Sequence, residues 1–211
     1  MRDKFRKICM IAGAALIFAA LCLCLYNISE DRTAEKRSQA SLSELRSLIG
    51  KKTSAEQAST DTSAENDLFA EYEEPTEAEM PTIVIDNTGY CGYLRISELG
   101  LELPVINDFS YDALDIAPCR YSGSAETDDL VIAAHNFSSH FGRLDRLSDG
   151  SEIIFFDCGG NAYQYHIISI EEINGGAPGE MLSKDNSQWD LTLFTCTLSG
   201  KSRITVRAKR S

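Results

Sequence analysis

The stretch that decides the fold is Leu191–Ala208, LTLFTCTLSGKSRITVRA. Two runs of alternating character flank Ser199-Gly200, and a two-residue loop with Gly between such runs is a hairpin signal. With the tip at Ser199-Gly200, Leu193 opposes Val206, Leu191 opposes Ala208 and Thr195 opposes Ile204, which makes one apolar face. On the other face Cys196 stands opposite Arg203 and Phe194 opposite Thr205. Directly opposed residues have Cβ atoms roughly 4.5–5.5 Å apart. A slip of one residue would lose the apolar face and the thiol–guanidinium pair together, so the alternation fixes the register.

Outward from this hairpin, the chain from about Pro81 reads as short β-rich runs. They are Thr82–Asp86, Cys91–Ile96, Leu101–Ile106, Asp129–Ala134, Ser151–Asp157, Ala162–Ile170, Asp190–Cys196 and Ser202–Ala208. Turn residues separate most of them, as at Asp149-Gly150, Gly159-Gly160-Asn161 and Gly175-Gly176. About eight short strands with little helical periodicity point to an all-β fold, either a closed barrel or a sandwich. Short helical excursions are expected at Tyr111–Ile116 and Glu180–Ser187.

The N-terminal part has a different texture. Ile8–Tyr26, ICMIAGAALIFAALCLCLY, carries no charge over 19 residues. At 1.5 Å per residue, a helix of that length spans roughly the ~30 Å hydrocarbon core of a bilayer. Arg2, Lys4, Arg6 and Lys7 precede it, and Glu30 and Asp31 follow it. That asymmetry predicts a single-pass plasma-membrane protein with a cytoplasmic basic tail (1–7), a transmembrane helix (8–27) and an extracellular remainder. A cleaved signal peptide fits less well, because the apolar run continues past Ala19-Ala20 and Leu21 is large for a lipoprotein-type cleavage before Cys22. Residues 28–80, rich in Ser, Thr, Ala, Glu and Gln, read as an acidic, flexible stalk. Leu42, Leu45, Leu48 and Ile49 offer one short amphipathic turn within it. The globular domain then covers 81–211.

The net charge of −12 argues against nucleic acid as a partner, since phosphate contacts need the opposite sign. Of seven cysteines, Cys9, Cys22 and Cys24 belong to the apolar run. Cys91, Cys119, Cys158 and Cys196 are scattered without a CxxC pair or a zinc-like Cys/His cluster. No cofactor or metal is assigned. Glu102, Asp128 and Asp129 are calcium-type ligands, but their spacing does not single them out.

A thiol beside an arginine has its nucleophilic thiolate form favoured, and acyl transfer also needs a proton donor for the leaving amine. Among the three histidines, His135 ends the apolar run DLVIAAH, where a buried strand enters a loop. His140 lies within that loop, where exposure is expected, and His166 alternates within QYHIISI. Taken singly, a strand-end Cys is more often a small buried hydrophobe and a strand-end His more often structural.

Together these residues carry a family resemblance. LTLFTCT followed by Arg203 resembles the TLxTC–Arg signature of sortases, and LVIAAHN resembles the strand that delivers their catalytic histidine. GYLRISELGLELPVI, CRYSGSAETDDLVIAAHNFSSHFGRL and DGSEIIFFDCGGNAYQYHI are similar to sortase blocks in the usual order. The resemblance runs from about Gly89 to Lys209. It implies a closed eight-stranded sortase-type β-barrel and a cysteine transpeptidase acting on an LPXTG-like sorting signal. Cys196 would be the nucleophile, His135 the general acid/base, and Arg203 the group that holds the substrate and stabilises the oxyanion. The implied partners are surface proteins bearing that signal and an amine acceptor, on a peptidoglycan precursor or on a pilin lysine.

This sequence departs from the family pattern in three places. Ala134 stands where Gly usually precedes the histidine, the Cys196-to-Arg203 spacing is short, and no Asp-Pro-aromatic lid precedes the barrel. The missing lid disfavours pilin polymerisation relative to cell-wall anchoring. A papain-like peptidase would place its Cys before its His and at a helix start, whereas His135 precedes Cys196 here. An anchored, non-enzymatic β-domain for adhesion or sensing would leave Cys196 without a role.

Overall fold

The computed structural model describes residues 2–58, 80–182 and 188–211. Helix α1 (Arg2–Ala58) is followed by β1 (Ile83–Ile85), β2 (Thr88–Ile96) and β3 (Leu101–Ile106). After them come a single helical turn α2 (Tyr111–Leu114), β4 (Cys119–Ser122) and β5 (Leu130–Ala134). β6 (Glu152–Asp157), β7 (Ala162–Asn174), β8 (Leu191–Cys196) and β9 (Ser202–Arg210) complete the chain.

The strand order is β1-β2-β3-β4-β5-β8-β9-β7-β6, and β2 also pairs with β6. That extra pairing closes β2–β9 into an eight-stranded barrel, with the three-residue β1 as an appendage on β2. The eight barrel strands are not quite the eight read from sequence. Cys119–Ser122 was not among them: Pro118 precedes it and Gly123 follows, so its ends look like turns. Its pairing is slight, with one parallel pair to β3 and a bulge against β5 between Arg120 and Ser122. Thr82–Asp86 does form a strand, outside the ring.

Strand alternation sorts the core into two layers. Leu130, Ile132, Leu191, Leu193, Val206 and Ala208 point into the barrel with Phe155 and Tyr165. Val131, Ala133 and Phe194 point outward, into a second cluster that includes Leu42, Leu45 and Ile49 of α1. β5 and β8 run parallel and are covered on both faces, which is why DLVIAA is apolar without alternation.

α1 corrects the expected stalk. Residues 28–58 are helix, continuous with the apolar segment. Ala34, Ser38, Leu42, Leu45 and Ile49 form its buried stripe, at the spacing of one helix face. The short amphipathic turn was therefore the visible part of a longer docking face, whose small residues gave no apolar signal. Arg46 and Arg95 both bind Glu102 at 2.5 Å, and Tyr90 Oη donates to Ser41 Oγ at 3.0 Å. The rest of the expected stalk, 59–79, lies outside the described residues. Upstream, Met10–Lys52 contains a stretch long and apolar enough to cross a membrane.

The Tyr111–Ile116 excursion is present as α2, capped by Ser110, whose Oγ accepts from the Ala113 N–H at 3.0 Å. Of Glu180–Ser187, Glu180 ends a single 3-10 turn that begins at Pro178, and 183–187 lie outside the described residues.

Candidate active site

β8 and β9 pair in the register read from alternation, with Leu193 opposite Val206 and Cys196 opposite Arg203. The loop is longer than two residues. Thr197 N–H donates to the Ser202 carbonyl at 3.0 Å, leaving Leu198–Lys201 as the tip, and Gly200 N–H closes a turn onto Thr197 O at 2.9 Å. Gly200 has φ +70°, a left-handed conformation that suits a residue without Cβ.

The parallel β5–β8 pairing brings the histidine. Ala134 is the register partner of Thr195, and Thr195 Oγ1 donates to the Ala134 carbonyl at 2.9 Å. The next residues along, His135 and Cys196, thus leave adjacent strands side by side at the same end. By alternation both project to the outer face of this wall, as Arg203 does from β9.

The side chains of His135 and Arg203 are held by partners outside this trio. His135 Nε2 lies 3.0 Å from Asp115 Oδ1, a partner that nothing in the sequence singled out. Arg203 Nη1 donates to the carbonyls of Gly200 and Ser202, each at 3.1 Å, so the guanidinium braces the hairpin tip. Cys196 is half-buried and lines a groove of about 450 Å³ with Asn136, Leu144, Glu172, Thr197 and Ile204. Neither His135 nor Arg203 is part of that groove's lining.

The other thiols of the barrel are inert by burial. Cys91 is fully buried and its pKa is raised; desolvation pushes Cys119 and Cys158 up to about 12. Among the described cysteines of the barrel, Cys196 alone is not buried. Arg207 is likewise committed. It donates to Thr192 Oγ1 at 2.9 Å and Met181 O at 3.1 Å, bonds Glu180 O, and stacks on Trp189 at 4.4 Å. The calcium-type carboxylates also have protein partners: Glu102 as above, Asp128 on Arg210, and Asp129 on Ser124 N–H and Thr127.

The loop after His135 departs from expectation. His140 is buried, not exposed. The loop folds tightly, with Phe141 N–H on His135 O at 3.2 Å and Gly142 N–H on Phe137 O at 2.9 Å. A Cβ on Gly142 would sit 2.3 Å from the Asn136 carbonyl oxygen, so glycine is required there. From outside, Asp31 of α1 accepts from Ser139 N–H at 3.1 Å and Ser139 Oγ at 2.7 Å, and from Ser138 Oγ. Desolvation tends to raise this carboxyl, but the serine hydrogen bonds outweigh it and hold Asp31 below its ordinary value.

A closed barrel with a thiol and a histidine side by side at one end suits nucleophilic acyl transfer. Comparison with known proteins identifies the family. The sortase domain family model matches residues 94–211, more than half of the chain. Among solved structures, a Clostridium perfringens sortase D5 transpeptidase superposes with TM-score 0.51 at 22% identity, covering 58% of this chain and 79% of its own. Sortase C1 from Streptococcus agalactiae gives TM-score 0.52 at 24% identity, covering 61% and 70%. A lid mutant of Corynebacterium diphtheriae sortase A gives 0.51 at 21%, covering 65% and 74%. At these identities the likeness is one of fold. No curated protein matches the chain. On the family match, the chain belongs to the sortases, a family of cysteine transpeptidases.

Proposed function

We propose that this sortase is anchored in the plasma membrane by α1, N-terminus inside, and joins proteins bearing an LPXTG-like sorting signal to a cell-wall precursor. The observation that carries the reading is the convergence of Cys196, His135 and Arg203 at one end of three neighbouring strands. Cys196 Sγ attacks the threonine carbonyl carbon of the signal, and the charge on its oxygen is met by Arg203. The Thr–Gly C–N bond breaks as His135 gives its proton to the departing glycine amine. An acceptor amine then attacks the thioester, His135 takes its proton, and Cys196 leaves as thiolate. The new amide preserves the acyl group, so no external energy source is needed.

Two contacts in the described state shape the reading. Asp115 holds the His135 ring, and the hairpin carbonyls hold Arg203. Substrate binding is expected to draw the guanidinium from those two neutral acceptors to the developing oxyanion. The absence of an Asp-Pro-aromatic lid favours anchoring over pilin polymerisation.

The test incubates the full chain in detergent with an LPXTG-type peptide library and free amine acceptors, with products read by mass spectrometry. Cleavage between Thr and Gly, an acyl adduct on Cys196 and transfer to the amine are expected. Cys196→Ala should remove all three, and Arg203→Ala should lose most of the rate while the fold stays intact. Turnover in Cys196→Ala would end the mechanism, and full activity in Arg203→Ala would end the role given to that residue.

A further inference from the structure

Helix α1 runs from the apolar stretch to the barrel without interruption. Tyr26 ends the apolar segment, and Ala34 is the next residue along the helix to be fully covered. At 1.5 Å per residue, those eight residues amount to about 12 Å. The headgroup layer on one side of a bilayer is itself roughly 5–8 Å thick, from the difference between total and hydrocarbon thickness. The barrel therefore stands at the membrane surface, and a specific part of it faces the surface.

That part is the candidate catalytic end. Tyr26 and Glu30 of α1 line one side of a cavity of about 450 Å³, and Phe137 and Leu198 line the other. Leu198 lies two residues after Cys196 in the β8–β9 tip and is 99% exposed. Asp31 fastens the helix to Ser138 and Ser139 on the loop after His135, which fixes the height of this face relative to Tyr26. Leu21, Leu25 and Tyr26 are largely exposed on α1, and Tyr26 and Leu198 face one another across that cavity, whose remaining lining includes Asn27, Asp31, Asn136 and Ser138. Lys201, exposed in the same tip, suits an anionic headgroup. Tyr is a residue of the membrane–water interface, so a side chain sharing its cavity lies at that depth.

We propose that the β8–β9 hairpin tip is a lipid-contacting element: Leu198 enters the leaflet on the barrel's side, and the groove around Cys196 opens at headgroup level. This rests on the membrane-anchored reading given above. The occupant of the tip is the bilayer that α1 itself spans, because the exposed Leu198 shares a cavity with Tyr26, where the apolar stretch of the same continuous helix ends. Cys196 then works on peptides and amines presented in the plane of the membrane.

The experiment uses the full chain reconstituted in phosphatidylcholine–phosphatidylglycerol vesicles, and in matched vesicles whose phosphatidylcholine is brominated along its acyl chains. Wild type, with Trp189 as its only tryptophan, is compared with Leu198→Trp. Flotation shows whether the chain stays with the vesicles. The expected result is co-flotation, blue-shifted emission from the added tryptophan, and severalfold stronger quenching by brominated lipid than for wild type. A co-floating Leu198→Trp chain with water-like emission, quenched no more than wild type, overturns the lipid contact while leaving the anchor standing. A chain that does not float with the vesicles overturns both. Leu198 is almost fully exposed, so the substitution removes no packing. Acrylamide quenching supplies a second readout: access as free as for a tryptophan in water also sinks the proposal.

Discussion

His140 is held in a state that costs stability in acid. It is buried, and neither ring nitrogen has a hydrogen-bond partner among the described residues. Phe137 packs against it at 5.6 Å. Desolvation, with a smaller contribution from His135 and an opposing one from Asp31, lowers its pKa from 6.5 to about 4. The imidazole is neutral in the folded chain and takes up a proton more readily once unfolded. Its effect is absent above pH 6.5, grows as pH falls toward 4, and levels off below that. A shift of this size corresponds to roughly 3 kcal/mol across the window. Urea midpoints between pH 7 and pH 4 should therefore fall more steeply for wild type than for His140→Phe, which packs the same space without a titrating group. Parallel curves would show that His140 reaches water or a partner in the folded state. His135, five residues earlier in the chain, keeps its ring partly exposed beside Asp115, as the proposed proton transfer would need.

Elements show where the sequence was legible. The β8–β9 register could be read because only one alignment makes a continuous apolar face, and Cys196 facing Arg203 followed from it. The position of His135 at a strand end was legible too, but its neighbour was not, since a parallel pair joins segments with no shared turn. Asp115 and Asp31 reach their partners across 20 and 108 residues, and neither stands in a local pattern. The β5-to-β6 loop shows what such contacts hold in place. Gly142 is its tightest point, with Asn136 O and Phe137 O at 2.3 and 2.8 Å from where a Cβ would be. Both are backbone atoms, so Gly142→Ala must displace the segment immediately after His135. Overpacking of this kind typically costs ~1–3 kcal/mol. The expected outcome is a lower thermal midpoint and a large loss of transpeptidation, with substrate affinity less affected. A variant with normal kcat would mean that the loop can move without disturbing His135.

At the scale of the molecule, α1 carries both the apolar stretch and a docking face on the barrel. A segment rich in Ser, Glu and Gln looks unable to bury enough surface to order itself. Its apolar residues, however, fall at Leu42, Leu45 and Ile49, on one face, and they complete a cluster with Ile85 of β1 and with Tyr90, Tyr93 and Ile106 on the barrel's outer wall. The barrel is thus incomplete without the helix, and its outer wall would expose that cluster if the helix were removed. Burying three such aliphatic side chains contributes on the order of 5 kcal/mol, at ~1.5–3 kcal/mol each, before the cost of ordering the helix. Two soluble versions of the chain separate the possibilities, one starting at Ile28 and the other at Met80. The longer should have the higher urea midpoint and bind less of a hydrophobic dye, and Leu45→Ala within it should abolish part of that gain by leaving a cavity that costs about 2–5 kcal/mol. Equal midpoints would show that the helix only rests on the barrel, and the proposed height of the candidate catalytic end above a bilayer would then not be fixed by α1.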